Sequence, residues 1–130
     1  MILLDTHIAL WAITDDERLP ESAKSLLQSG QTIYFSVASM WEVELKHKKN
    51  PENMPFTGRQ FYLACINAGM HSLPIKPRHI FELNVILNND TYHNDPFDHL
   101  LLSTAIGERL LLLTHDEKMR NYKNANIILC

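Results

Sequence analysis

Cysteine is scarce in this 130-residue chain: there are two, Cys65 and Cys130, and no CxxC pair. That argues against a disulfide framework or a thiolate zinc cluster and reads as two reduced thiols in a cytoplasmic protein. Glycine and proline are few, 4 and 6, and charged residues make up 21%, which argues against a disordered chain. Long apolar runs are missing as well; none approaches the roughly 18 residues of a membrane span. The apolar start, residues 1–13, is broken by Asp5 and His7 and carries no basic flank, so it reads as a strand and a helix rather than a leader peptide. A basic surplus is also absent, with 12 Lys and Arg against 15 Asp and Glu. The whole-chain charge therefore gives no positive support for a polyanionic partner. It does not exclude one, because four acids gathered round a metal would leave 11 against the 12 bases.

What is present is a core: 45% of residues are hydrophobic, enough for one domain over 1–130. Residues 2–5 form a short continuous apolar run, as in a parallel strand covered on both faces. Residues 8–14 and 20–28 read as helices, the second with Pro at its first turn and Gly30 just beyond its end. Residues 32–36 are β-rich, and Ser36 can cap a long helix to about Lys48. A turn-rich connector at 50–55 leads to a helix over 57–68. Residues 71–75 make a short strand whose Pro74 suits a sheet edge. A helix over 78–87, a polar loop over 88–94, a helix over 96–108, a strand over 110–114, a short helix over 117–122 and a strand over 126–129 complete the order. Strands alternating with helices predict a parallel sheet with helices on both faces, whose ligands bind beyond the carboxyl ends of the strands.

Several acids fall at that edge, and each has a structural explanation beside the chemical one. Asp5 ends the first apolar run and can cap the helix that follows. Asp95 is placed as N-cap with Pro96 at the first helical position, and Asp98 then stands where the helix dipole favours a carboxylate. Its direction is fixed by the helix, which suits a metal ligand. Asp116 follows the strand over 110–114 and can cap the next short helix. Glu42 can pair with Lys46 at i,i+4 on a solvent face. Val37, Met40, Trp41 and Leu45 form an apolar stripe that includes Glu44, so spacing leaves Glu42 and Glu44 open. Trp11 and Trp41 both read as core. The basic group at 46–49 reads as a solvated helix end. Seven histidines show no HExxH or paired Cys/His spacing, so zinc has no motif. His93 and His99, which bracket the Asp95–Asp98 segment, are candidates for substrate contact.

Four segments together resemble the PIN-domain family, specifically the VapC-type toxins of bacterial toxin–antitoxin pairs. They are Leu3-Leu-Asp-Thr-His-Ile-Ala-Leu-Trp11, Ser36-Val-Ala-Ser-Met-Trp-Glu-Val-Glu-Leu-Lys46, His93-Asn-Asp-Pro-Phe-Asp-His-Leu-Leu-Leu-Ser-Thr-Ala105 and Leu112-Leu-Thr-His-Asp116. They occur in the family order, and the Asp95-Pro-Phe-Asp98 run is the sharpest. The resemblance implies a three-layer α/β sandwich with a central parallel sheet of four to five strands. It implies a metal-dependent endoribonuclease with Asp5, Glu42, Asp98 and Asp116 as catalytic acids, and so selects Glu42 over Glu44. Thr114 matches a supporting hydroxyl, with Lys46, His99 and Asp95 in supporting or substrate-facing positions. His99 stands where the family commonly has Arg, and imidazole lacks the two-pronged contact of guanidinium.

Such a set of acids needs a cation, since two carboxylates about 4 Å apart repel by roughly 4 kcal/mol at an effective dielectric of 20. All-oxygen donors favour Mg²⁺ or Mn²⁺; Asp5, Asp98 and Asp116 are the expected metal ligands. RNA, a cognate antitoxin and a second copy of the chain in a homodimer are the partners the resemblance implies. Two readings compete. One is a PIN-fold module that binds protein partners with little or no catalysis. The other is a phosphotransferase that uses the aspartate after its first strand, which needs an acid two residues on where this chain has His7.

Overall fold

The structure is a computed structural model that describes residues 1–89, 95–122 and 126–130. Five strands carry it: β1 (Ile2–Leu4), β2 (Ile33–Ser36), β3 (His71–Leu73), β4 (Leu111–Thr114) and β5 (Asn126–Leu129). All pair in parallel, in the order β3-β2-β1-β4-β5. The first strand is thus the central one, and β3, followed by Pro74, lies at an edge where a missing N–H is tolerated. Helices α1 (Thr6–Ile13), α2 (Glu21–Leu27), α3 (Val37–Lys49), α4 (Gly58–Asn67), α5 (Pro77–Asn89) and α6 (Pro96–Glu108), with a 3₁₀ turn over Glu117–Asn121, make the connections.

The strand pleat divides the core. Ile2, Leu4, Ile33, Phe35 and Leu113 face α1 to α4 and pack with Ile8, Ala23, Val43 and Phe61. Leu3 and Leu112 point to the other face, against Ile86 of α5 and Leu101, Leu102 and Ala105 of α6. Because successive strand residues point to opposite sides, an unbroken apolar run is what a doubly covered strand requires. The result is a three-layer α/β sandwich at the upper end of the four-to-five-strand range. The predicted polar loop starts later than expected: α5 runs to Asn89, and residues 90–94, including His93, lie outside the described residues.

The second helical layer is locked at the far end of α5. His79 is fully buried. Its Nδ1 accepts from the Lys76 N–H at 3.0 Å, so Nε2 carries the proton and donates to Glu108 Oε1 at 2.8 Å. A Cβ added at Gly107 would lie 2.9 Å from His79 Cδ2. The imidazole is held through both nitrogens and cannot retreat. Gly107→Ala would gain about 1 kcal/mol of helix propensity but force an overpacking cost of about 1–3 kcal/mol. We therefore expect it to lower the melting temperature in thermal denaturation; an increase would mean the ring yields.

Candidate active site

The site is built on the carboxyl ends of β1 and β4. One residue beyond the pair Leu4 and Leu113, Asp5 stands beside Thr114, with its N–H on Leu113 O at 2.9 Å. Asp5 is buried and caps α1, Oδ1 accepting from the Thr6 N–H at 2.7 Å. Its other oxygen, Oδ2, accepts from Thr114 Oγ1 at 2.6 Å. Thr114 Oγ1 in turn accepts from the Asp116 N–H at 3.1 Å. One buried hydroxyl thus ties the first strand to the turn after β4. Burial pushes the Asp5 carboxyl above its ordinary pKa. The bonds from Thr114 and Thr6 and the His7 charge pull it back only in part, and the Glu42 carboxylate raises it further.

Glu42 arrives from α3. Ser36 ends β2 and caps this helix, accepting from the Ala38 N–H at 2.9 Å. Thr6 Oγ1 and Ser39 Oγ share a hydrogen bond of 2.8 Å, which ties the starts of α1 and α3 together. The buried face of α3 is therefore Ala38, Ser39, Glu42 and Val43. The expected core stripe lies on the other side, with Trp41 56%, Leu45 44% and Val37 37% exposed. That corrects two expectations: Trp41 is not core, and the Glu42–Lys46 pair is not solvent-facing. The pair does form, at 2.6 Å, but Glu42 is 4% exposed and only Lys46 reaches solvent. Glu44 is half-buried, near Gly58. Glu42 Oε1 is buried and accepts no hydrogen bond among the described residues.

Asp98 is buried in the first turn of α6. Asp95 is the N-cap, accepting from the Phe97 N–H at 2.9 Å, with Pro96 at the first helical position. Trp41 and Phe97 meet edge-to-face with centroids 5.0 Å apart. Each immediately precedes a buried acid in sequence, Glu42 and Asp98, and the contact joins α3 to the first turn of α6. His99 is buried, its ring 6.4 Å from that of Tyr122, rather than on an exposed loop. Asp116 is half-buried and caps the 3₁₀ turn, accepting from the Lys118 N–H at 3.0 Å. Sequence reasoning missed Ser39. A small hydroxyl one turn past a Ser cap, with an acid three residues further on, was the available signal.

Among the described residues, no three acids, histidines or cysteines gather closely enough to hold an ion between them. The donors nevertheless suit a hard divalent cation. A buried carboxylate oxygen lacks a partner, a second carboxylate within its field is hard to ionise, and every candidate donor is an oxygen. Magnesium keeps several waters and is commonly held by one or two carboxylates plus substrate phosphate, so a tight three-acid cage is not required.

The family profile described as the PIN domain matches residues 2–125. No curated protein matched the sequence. Several solved structures are similar. VapBC2 from Rickettsia felis, bound to a DNA fragment from its promoter, has a TM-score of 0.71 at 23% identity, over 99% of this chain and 98% of that one. DNA-bound VapBC from Salmonella typhimurium gives 0.69 at 16%, over 98% and 96%. FitAcB from Neisseria gonorrhoeae gives 0.64 at 18%, over 99% and 96%. At these identities the likeness establishes the fold.

Proposed function

Since this chain belongs to the PIN-domain family, we propose that it is a metal-dependent endoribonuclease, the toxin of a toxin–antitoxin pair. The observation that carries this reading is the buried pair of Asp5 and Glu42 at the carboxyl edge of the sheet, with one Glu42 oxygen unpartnered among the described residues. Asp5, Asp98 and Asp116 would hold Mg²⁺ or Mn²⁺, with Glu42 beside them. When bound, the ion supplies polarisation of a phosphoryl oxygen and a lowered pKa for the attacking water. The chain's own residues do the rest. Thr114 fixes the Asp5 carboxylate through Oδ2, and Lys46 fixes Glu42 through Oε2. Fixed dipoles and charges cost no reorganisation during reaction. Glu42 Oε1 is left to take a proton from water at the scissile phosphate.

A further similar structure, with a TM-score of 0.66 at 18% identity over 98% of this chain and 96% of that one, is a toxin–antitoxin complex from Klebsiella pneumoniae, which supports a cognate antitoxin as partner. The homodimer and cytoplasmic location belong to the same proposal. Among the described residues no helix is long and apolar enough to cross a membrane. A second reading, a PIN-fold module acting through partners alone, draws on the absence of a three-donor cluster among the described residues.

One assay separates the two. Purified protein should cleave single-stranded RNA in Mg²⁺ or Mn²⁺, stop in EDTA, and lose on the order of a hundred-fold in rate as Asp98→Asn, the loss expected when several kcal/mol of charge stabilisation disappear. Cleavage that persists in EDTA would remove the mechanism. Equal cleavage by Asp98→Asn would remove Asp98 from it, and partner binding without cleavage would leave the second reading.

A further inference from the structure

Beside the acids, on the β4 side, lies a group with no part in the mechanism above. Trp11 is half-buried on α1 and packs its inner side on the core. The Arg18 guanidinium lies over the indole, 5.4 Å from the ring centroid. It is held there by a two-pronged bond to Asp16, Nη2 to Oδ2 at 2.7 Å and Nε to Oδ1 at 3.1 Å. Asp16 is itself set by its N–H on Trp11 O at 2.9 Å, just after Asp15 takes a left-handed conformation (φ 50°). Two exposed histidines rim the indole: His7 at 6.1 Å and His115, edge-on, at 5.6 Å. His115 is oriented by its Nδ1–H on Cys130 O.

The position of this group matters as much as its composition. His7 is two residues past Asp5. His115 joins Thr114 to Asp116. The group therefore borders the acids. A polyanionic strand approaching them meets repulsion there and needs contacts alongside that do not depend on carboxylates.

We propose that the Arg18 guanidinium, held over Trp11 and clamped by Asp16, is a stacking platform for an unpaired base of the RNA strand beside the cleavage site. The proposal rests on the nuclease reading for its ligand. Nε and Nη2 are committed to Asp16, which fixes the guanidinium and leaves its outer face and Nη1 for a ligand, and the side chain is 69% exposed. Unpaired bases stack on guanidinium planes and on aromatic rings. Stacking tolerates any base, because every base has a π-face. His7 and His115 would serve as hydrogen-bonding rims for the flanking sugar and phosphate.

The test is fluorescence anisotropy of a labelled single-stranded oligoribonucleotide in EDTA, where nothing is cleaved, with melting curves to verify folding. Arg18→Lys keeps the charge and loses the plane; Trp11→Leu removes the support. Each should weaken binding by about five-fold or more, and the differences should vanish on an oligonucleotide of abasic sites. Wild-type affinity in Arg18→Lys overturns the proposal, as does an equal loss on the abasic strand, which would mean phosphate contact alone. No binding by the wild-type chain overturns it too and points the patch at a protein partner. Wild-type binding with the expected variant losses, but no cleavage in Mg²⁺ or Mn²⁺, leaves the platform standing and removes the nuclease reading.

Discussion

Asp5→Asn is expected to lose RNA cleavage by on the order of a hundred-fold or more while the metal-free protein melts no lower than wild type at neutral pH. The two outcomes have one cause. Asp5 is buried, and burial lifts its pKa above the ordinary carboxylate value. A group whose folded pKa exceeds its unfolded one holds its proton longer in the folded state. Its contribution to stability is full below the unfolded value of about 3.8 and declines as pH rises through the raised folded value. At neutral pH the Asp5 carboxyl therefore weighs against the fold relative to a neutral side chain in its place. Asparagine keeps Oδ1 for the Thr6 N–H, turns an amide N–H toward Thr114 Oγ1 in place of the second oxygen, and carries no charge. The variant's advantage in melting temperature should shrink as pH falls toward 4. Added Mg²⁺ should raise the melting temperature of wild type, since a ligand of the folded state alone stabilises it, and should do so much less for the variant. A marked fall in stability would show that accepting the Thr114 hydroxyl at Oδ2, rather than charge, decides what Asp5 does for the fold.

Thr114→Val should be costly to the fold as well as to the site. The hydroxyl is fully buried, donates to Asp5 Oδ2 and accepts from the Asp116 N–H. Valine has nearly the same shape and neither capacity. A buried group left unsatisfied costs about 1–3 kcal/mol, which for a chain of this size is a fall of roughly 3–12 °C in melting temperature. The bond from Thr114 is the strongest influence holding the Asp5 pKa down. Its loss moves that pKa further up, so the onset of metal-dependent activity should shift to higher pH. Thr114→Ser restores the donor and should recover most of both effects. If serine rescues neither, the methyl group rather than the hydroxyl matters.

Much of this was legible in the sequence where the cause is local. Asp95, Pro96 and Asp98 announce a helix start because capping, the fixed proline φ and the helix dipole act within one turn. Pro74 marked an edge strand because its missing donor would break an interior ladder. The orientation of α3 was not legible. Reading apolar residues as inward placed Trp41 in the core. The helix instead turns Ser39 and Glu42 inward, because the hydroxyl bond to Thr6 and the Lys46 pair satisfy polar groups there. The convergence of Asp5 with Thr114, 109 residues apart, has no local signature; only the resemblance pointed to it.

The place of β1 in the sheet has a consequence for biosynthesis. β1 cannot be flanked on both sides until Leu111–Thr114 has emerged from the ribosome. Pairings so distant along the chain form late, and Asp5 gains its hydroxyl partner only then. Unfinished chains would therefore carry the acid without its setting. If the proposed activity is harmful to the cell that makes it, that cell is spared until the strand Leu111–Thr114 has been made and paired, time in which an inhibitor can already be waiting.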